Sequence, residues 1–157
     1  MPAGETNKAY LDGLKMLARR ELSEAQVRER LARRGHDPGA IDDAVRRLRD
    51  ERAIDDVRAA EAIVRTEASV RRHGKRHVER HLERAGIDTA TARRAVDEAF
   101  EALDEDAQIE AAIARRLHGR GIIADDRELQ RLYRYLVAQG FDSERVQTVL
   151  TARKRRA

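Results

Sequence analysis

Leu31-Ala-Arg-Arg-Gly35-His-Asp37 is one of three versions of the same stretch in this chain. It returns as Leu82-Glu-Arg-Ala-Gly86-Ile-Asp88 and as Leu136-Val-Ala-Gln-Gly140-Phe-Asp142, with the glycines 51 and then 54 residues apart. The match runs outward on both sides. Eight residues before each glycine stands Val27, Val78 or Leu132. Six and ten residues after it stand Ile41 and Val45, Ala92 and Val96, and Val146 and Leu150. A register kept three times identifies an array of three similar modules, and such arrays usually present surfaces rather than enclose active sites.

Each copy reads as helix, helix, turn, helix. In the first, Leu11, Leu14, Leu17 and Ala18 form one apolar stripe. Ser23-Glu-Ala-Gln26 has the form of a capping box, in which the serine and glutamine satisfy each other's orphan amides. The helix so begun carries Val27 and Leu31 and closes at Gly35, a residue free to take positive φ. Asp37-Pro38 restarts the chain, aspartate as N-cap and proline at the first helical position. A long helix over about 56–72, broken by Gly74, opens the second module, and Asp125 with Glu128 suggests a capping box in the third. The expectation is an all-α, elongated tandem array of three three-helix modules, about nine helices, over residues 1–55, 56–106 and 107–157. The loop holding Gly119 and Gly121 is the candidate hinge; it lacks the lysine and hydroxyl of a phosphate loop.

Composition agrees with several small cores. Of 157 residues 39% are charged and only 3% aromatic, and mean hydropathy is −0.75. A module of about fifty residues buries too little surface to be comfortably stable alone, so neighbours must pack together. No apolar run is long enough to span a bilayer, the N-terminus lacks a signal-peptide pattern, and the absence of cysteine excludes disulfides and thiolate zinc sites. The cytoplasm is the expected compartment. Charge is uneven: residues 108–157 carry 11 basic and 6 acidic side chains, ending in Arg153-Lys-Arg-Arg156. Arg71-Arg-His-Gly-Lys-Arg76 forms a second basic cluster. Both suit a polyanion, or simple solvation.

No catalytic signature is present. Paired aspartates such as Asp42-Asp43, Asp55-Asp56 and Asp125-Asp126 stand near helix starts, where carboxylates complement the macrodipole. His73, His77 and His81 are spaced by four, and His77 and His81 can share a helix face. Gly74 separates His73 from that helix, a third ligand is not evident, and Arg76 and Arg80 repel a cation, so no metal or cofactor is expected. Duplex reading is also disfavoured, because the third helix of the first module carries Asp42 and Asp43 and that of the second carries Asp97, Glu98 and Glu101. Few aromatics are available to stack on single-stranded bases.

Four stretches together resemble the RecX regulatory proteins of bacteria. They are Leu14-Lys-Met-Leu-Ala-Arg-Arg-Glu-Leu-Ser-Glu-Ala-Gln-Val-Arg-Glu-Arg-Leu-Ala-Arg-Arg-Gly35, Ile54-Asp-Asp-Val-Arg-Ala-Ala-Glu-Ala-Ile-Val-Arg65, Gly74-Lys-Arg-His-Val-Glu-Arg-His-Leu-Glu-Arg-Ala-Gly-Ile-Asp88 and Leu136-Val-Ala-Gln-Gly-Phe-Asp-Ser-Glu-Arg-Val146. The resemblance spans about residues 9–151 in order and spacing. One departure is that Ala59 and Ile63 stand where the family usually carries aromatics, which reduces core volume at that point.

The resemblance implies a non-enzymatic modulator of the RecA recombinase. Such a protein lies along the RecA–DNA filament, inhibits its ATPase, extension and strand exchange, and acts as a monomer with weak contact to single-stranded DNA. The residues expected to pair with filament carboxylates or phosphates are Arg65, Arg71, Arg72, Lys75, Arg76 and Arg80, with Arg153, Lys154, Arg155 and Arg156. Arg65 and Arg80 can instead pair within their helices, with neighbours such as Glu61 or Glu83. Two alternatives are a DNA-binding array that acts without RecA and a metal-dependent enzyme or sensor built on His77 and His81.

Overall fold

The computed structural model of the chain describes residues 3–156. Among the described residues there are nine α-helices and no strand, as the periodicity predicts. They are α1 (Ala3–Leu17), α2 (Glu24–Arg33), α3 (Pro38–Asp50), α4 (Asp56–Val64), α5 (Lys75–Arg84), α6 (Thr89–Glu101), α7 (Glu105–Arg116), α8 (Asp126–Ala138) and α9 (Ser143–Arg156).

The helix starts follow the sequence signals. Ser23 Oγ accepts from the Gln26 amide at 3.1 Å while the Gln26 side chain accepts from the Ser23 amide at 3.0 Å. Asp37 accepts from the Gly39 amide, with Pro38 in the first turn. At α8 the pattern shifts: Asp125 caps the Glu128 amide at 2.7 Å, but Glu128 reaches back to the Ala124 amide, one residue before the cap. Gly35, Gly86 and Gly140 all take positive φ, at 86°, 73° and 95°. That conformation closes each turn, and only glycine adopts it without a Cβ penalty.

One expected helix differs. The segment over about 56–72 is α-helical only to Val64, and Arg65–Val70 then winds as a π-helical turn. The Arg71 amide donates to the Thr66 carbonyl, five residues back, at 2.9 Å. Inside this wider turn Glu67 and Ala68 are both buried. Short π turns of this kind occur frequently at functional sites.

Contacts group the chain into two compact units: residues up to Ile63 with Leu82–Ala92, and Val64–His81 with the residues from Arg93 onward. The middle repeat is therefore shared, and one junction built twice explains why. In the first unit Ser23, the N-cap of α2, donates its hydroxyl to the Ala85 carbonyl beside Gly86. In the second unit the Gly74 amide, at the equivalent repeat position, donates to the Gln139 carbonyl beside Gly140 at 2.8 Å. Each time, the start of a module's second helix holds the glycine turn of the next module.

In the first unit Val27, Leu31, Val45 and Leu48 are fully buried with Leu22 and Ile54 around them. Helix α1 approaches α3 closely because Gly13 has no side chain: a Cβ there would lie 2.7 Å from Leu48 Cδ1. In the second unit Ile109, Ile113, Leu132, Leu136, Phe141, Val146 and Leu150 form the core. Each such side chain contributes about 1.5–3 kcal/mol relative to exposure. The repeat's apolar register positions are buried throughout except Ala92, which is half-buried in the middle copy.

Candidate functional site

All ten basic residues singled out in the sequence fall in the second unit. Arg65, Arg72, Arg76, Arg80, Arg155 and Arg156 are exposed and make no ion pair among the described residues. The intrahelical pairing open to Arg65 and Arg80 is thus not formed. The other four are engaged. Arg71 lies 3.1 Å from Glu67 and Lys75 3.0 Å from Asp97, while Lys154 pairs with Asp126. Arg153 is only 19% exposed, pairs with Glu110 and donates to the Gly121 carbonyl at 3.4 Å, so its role is to tie α9 to α7 and the Gly119–Gly121 loop.

Lys75 and Arg76 border a shallow groove of about 510 Å³ with Gly140, Arg145 and Thr148. Glu105, Asp142 and Glu144 line it as well. Arg145 lies 3.5 Å from Glu105 and 3.7 Å from Asp106. A lining of mixed sign suits complementary charge on a protein surface better than a phosphate backbone, whose uniform charge the carboxylates would repel.

The three neighbouring histidines converge on a residue the sequence pattern did not single out. Glu67 is 1% exposed. Its Oε2 lies 2.6 Å from His73 Nδ1 and 3.4 Å from His77 Nε2. Its Oε1 lies 3.0 Å from His81 Nδ1 and 3.1 Å from the Arg71 guanidinium. The His73 and His77 rings are 3.8 Å apart between centroids. Burial on its own pushes the Glu67 carboxyl up, but the His73 hydrogen bond and the charges of His81, Arg71 and His73 reverse this and hold it below the usual range. Ala60, Val64 and Glu67 continue one helical stripe, so a carboxylate in core register was the available signal. Gly74 does interrupt the chain between His73 and α5, yet the loop folds back and keeps His73 in the cluster.

Known proteins are similar to this chain along nearly its whole length. The regulatory protein RecX of Halorhodospira halophila is 34% identical over 152 residues, covering 96% of this chain and 91% of that protein. The chain belongs to the RecX family. The profile described as RecX, first three-helix domain, matches residues 9–48. RecX of Chromohalobacter salexigens is 36% identical over 135 residues, covering 86% of each chain. The crystal structure of RecX from Lactobacillus salivarius has the same fold, with TM-score 0.73 at 20% identity over 96% of this chain and 97% of that one. Membership in this family makes the protein a regulatory one. No helix among the described residues is long and apolar enough to cross a membrane.

Proposed function

We propose that this protein is a negative regulator of the RecA recombinase that binds along the RecA–DNA filament and inhibits its ATPase, extension and strand exchange. The observation that carries this reading is the likeness to RecX regulatory proteins over 96% of the chain. On this reading it works as a cytoplasmic monomer. The three repeated modules lie along successive filament subunits, and linkage of weak contacts supplies the affinity, since each later module binds at an effective concentration set by the first. Arg65, Arg72, Arg76, Arg80, Arg155 and Arg156, exposed and unpaired among the described residues, supply the charge, toward filament carboxylates and, more weakly, single-stranded DNA.

The test is RecA ATP hydrolysis on single-stranded DNA with this protein titrated below one copy per RecA, at two DNA concentrations. Inhibition that persists when DNA is raised supports a filament-directed regulator. Inhibition relieved by added DNA, with steep salt dependence, would instead support a helical array acting on DNA alone, the reading that the six unpaired arginines also favour.

A further inference from the structure

We propose that Glu67, His73 and His77 form a binding site for a divalent transition ion of the zinc, nickel or cobalt class. The donor atoms of these three residues all lie within 4.8 Å of one another. In a tetrahedral site with bonds of about 2.0–2.1 Å, neighbouring ligand atoms stand about 3.3–3.4 Å apart. Glu67 Oε2 and His77 Nε2 already have that spacing, at 3.4 Å. The contact from Oε2 to His73 Nδ1, at 2.6 Å, has to open by less than an ångström.

The other carboxylate oxygen is held separately. His81 Nδ1 and Arg71 approach Oε1, not Oε2. They act as the outer partners that orient a ligating carboxylate. His81 is thus a positioning residue, and the cation-repelling charge of Arg71 is directed at the oxygen that does not ligate. Arg76 and Arg80 sit one residue before His77 and His81, about 100° round the helix from the imidazoles. Two imidazoles and one carboxylate favour zinc-class ions over magnesium or calcium, which take oxygen ligands. His73 and His77 are partly exposed, at 18% and 27%, so the fourth position opens to water. The ion would fasten the π-helical turn Arg65–Val70 to the start of α5 through the loop between them.

This inference is independent of the RecA reading. The test uses the full chain purified without a histidine tag and stripped with a chelator, titrated with zinc by calorimetry and with cobalt by visible absorption. The expected result is one saturable site, the visible bands of low-coordinate cobalt, and a raised melting temperature at excess zinc. His73→Asn with His77→Asn should abolish the site, and His81→Asn should weaken it roughly 10–100-fold. His118→Asn, on the exposed loop after α7, should leave it unchanged. Absence of saturable zinc binding by the wild-type chain overturns the proposal. So does binding that survives in the double variant. If the double variant does not fold without metal, the wild-type cobalt spectrum decides: bands of low-coordinate nitrogen and oxygen ligation support the site, and a hexaaquo-like spectrum overturns it.

Discussion

Gly74 and Gly140 meet backbone to backbone. The Arg76 amide donates to the Gly140 carbonyl at 3.2 Å, and a Cβ built on Gly74 would collide with the Gly140 carbonyl carbon and the Phe141 nitrogen. The three repeat glycines therefore face different surroundings at similar φ. Gly35 has nothing within reach of an added Cβ, Gly86 has the Ala25 methyl, and Gly140 has the His77 backbone. Alanine at Gly35 should cost only the left-handed penalty, about 1–2 kcal/mol. Gly86→Ala should cost more, and Gly140→Ala and Gly74→Ala about 3 kcal/mol or above. Urea midpoints of the four variants measure the order; equal losses at Gly35 and Gly140 would show that the close approach contributes nothing.

Ser23 offers the parallel case in the other unit. Its hydroxyl accepts from the Gln26 amide and donates to the Ala85 carbonyl, and the residue is wholly buried. Ser23→Ala removes a helix cap, worth about 0.5–2 kcal/mol. It also orphans a buried carbonyl, worth about 1–3 kcal/mol. Gln26→Ala removes only one hydrogen bond at the same cap. Thermal melts should therefore place Ser23→Ala well below Gln26→Ala, and near-equal melting temperatures would mean that the Ala85 hydrogen bond adds no stability.

Asp56 predicts a pH effect. Its carboxyl is pushed up by burial and by the charges of Glu24, Asp88 and Asp55, although the Glu24 amide donates to it at 2.8 Å and pulls the other way. A carboxyl whose folded-state pKa is raised binds its proton more tightly in the folded chain. Its contribution is favourable below the ordinary value of 3.8 and is lost as pH rises through the raised value. Asp56→Asn keeps an acceptor for the Glu24 amide and removes the charge. The variant's melting temperature relative to wild type should rise between about pH 4 and pH 7. A difference that stays flat or falls across that range would contradict the sign.

Much of this was open to a reader of the chain. The repeat register placed Val27, Leu31, Val45, Leu136 and Leu150 in cores, and Ser23 and Asp37 announced their caps by residue type. The junction was hidden because its two versions use unlike chemistry, a serine hydroxyl at one repeat position and a glycine amide at the other. The histidine cluster was half visible. Four-residue spacing brought His77 and His81 together, but Glu67 belongs to a π-helical turn, and no local pattern in its sequence announces that winding. Which arginines are free was also illegible, since pairing such as Arg153 with Glu110 depends on how α7 and α9 pack.

That last distinction separates stability from function among the basic residues. Arg65, Arg76 and Arg80 are exposed and unpaired among the described residues, so replacing each by alanine should change stability by no more than about 0.5 kcal/mol. Arg153→Ala breaks a partly buried tie to Glu110 and an exposed one to the Gly121 carbonyl, and should cost about 0.5–1.5 kcal/mol. The triple variant of the first three should melt with the wild-type protein yet need at least about tenfold more protein to inhibit RecA, a loss near 1.4 kcal/mol. If these arginines meet phosphates, the salt dependence of single-stranded DNA binding should also flatten, by about 0.7 in the logarithmic slope for each phosphate left without its arginine. If they meet filament carboxylates, that slope should hold while inhibition still weakens. A triple variant that inhibits as well as the wild type would remove the middle cluster from the interface altogether.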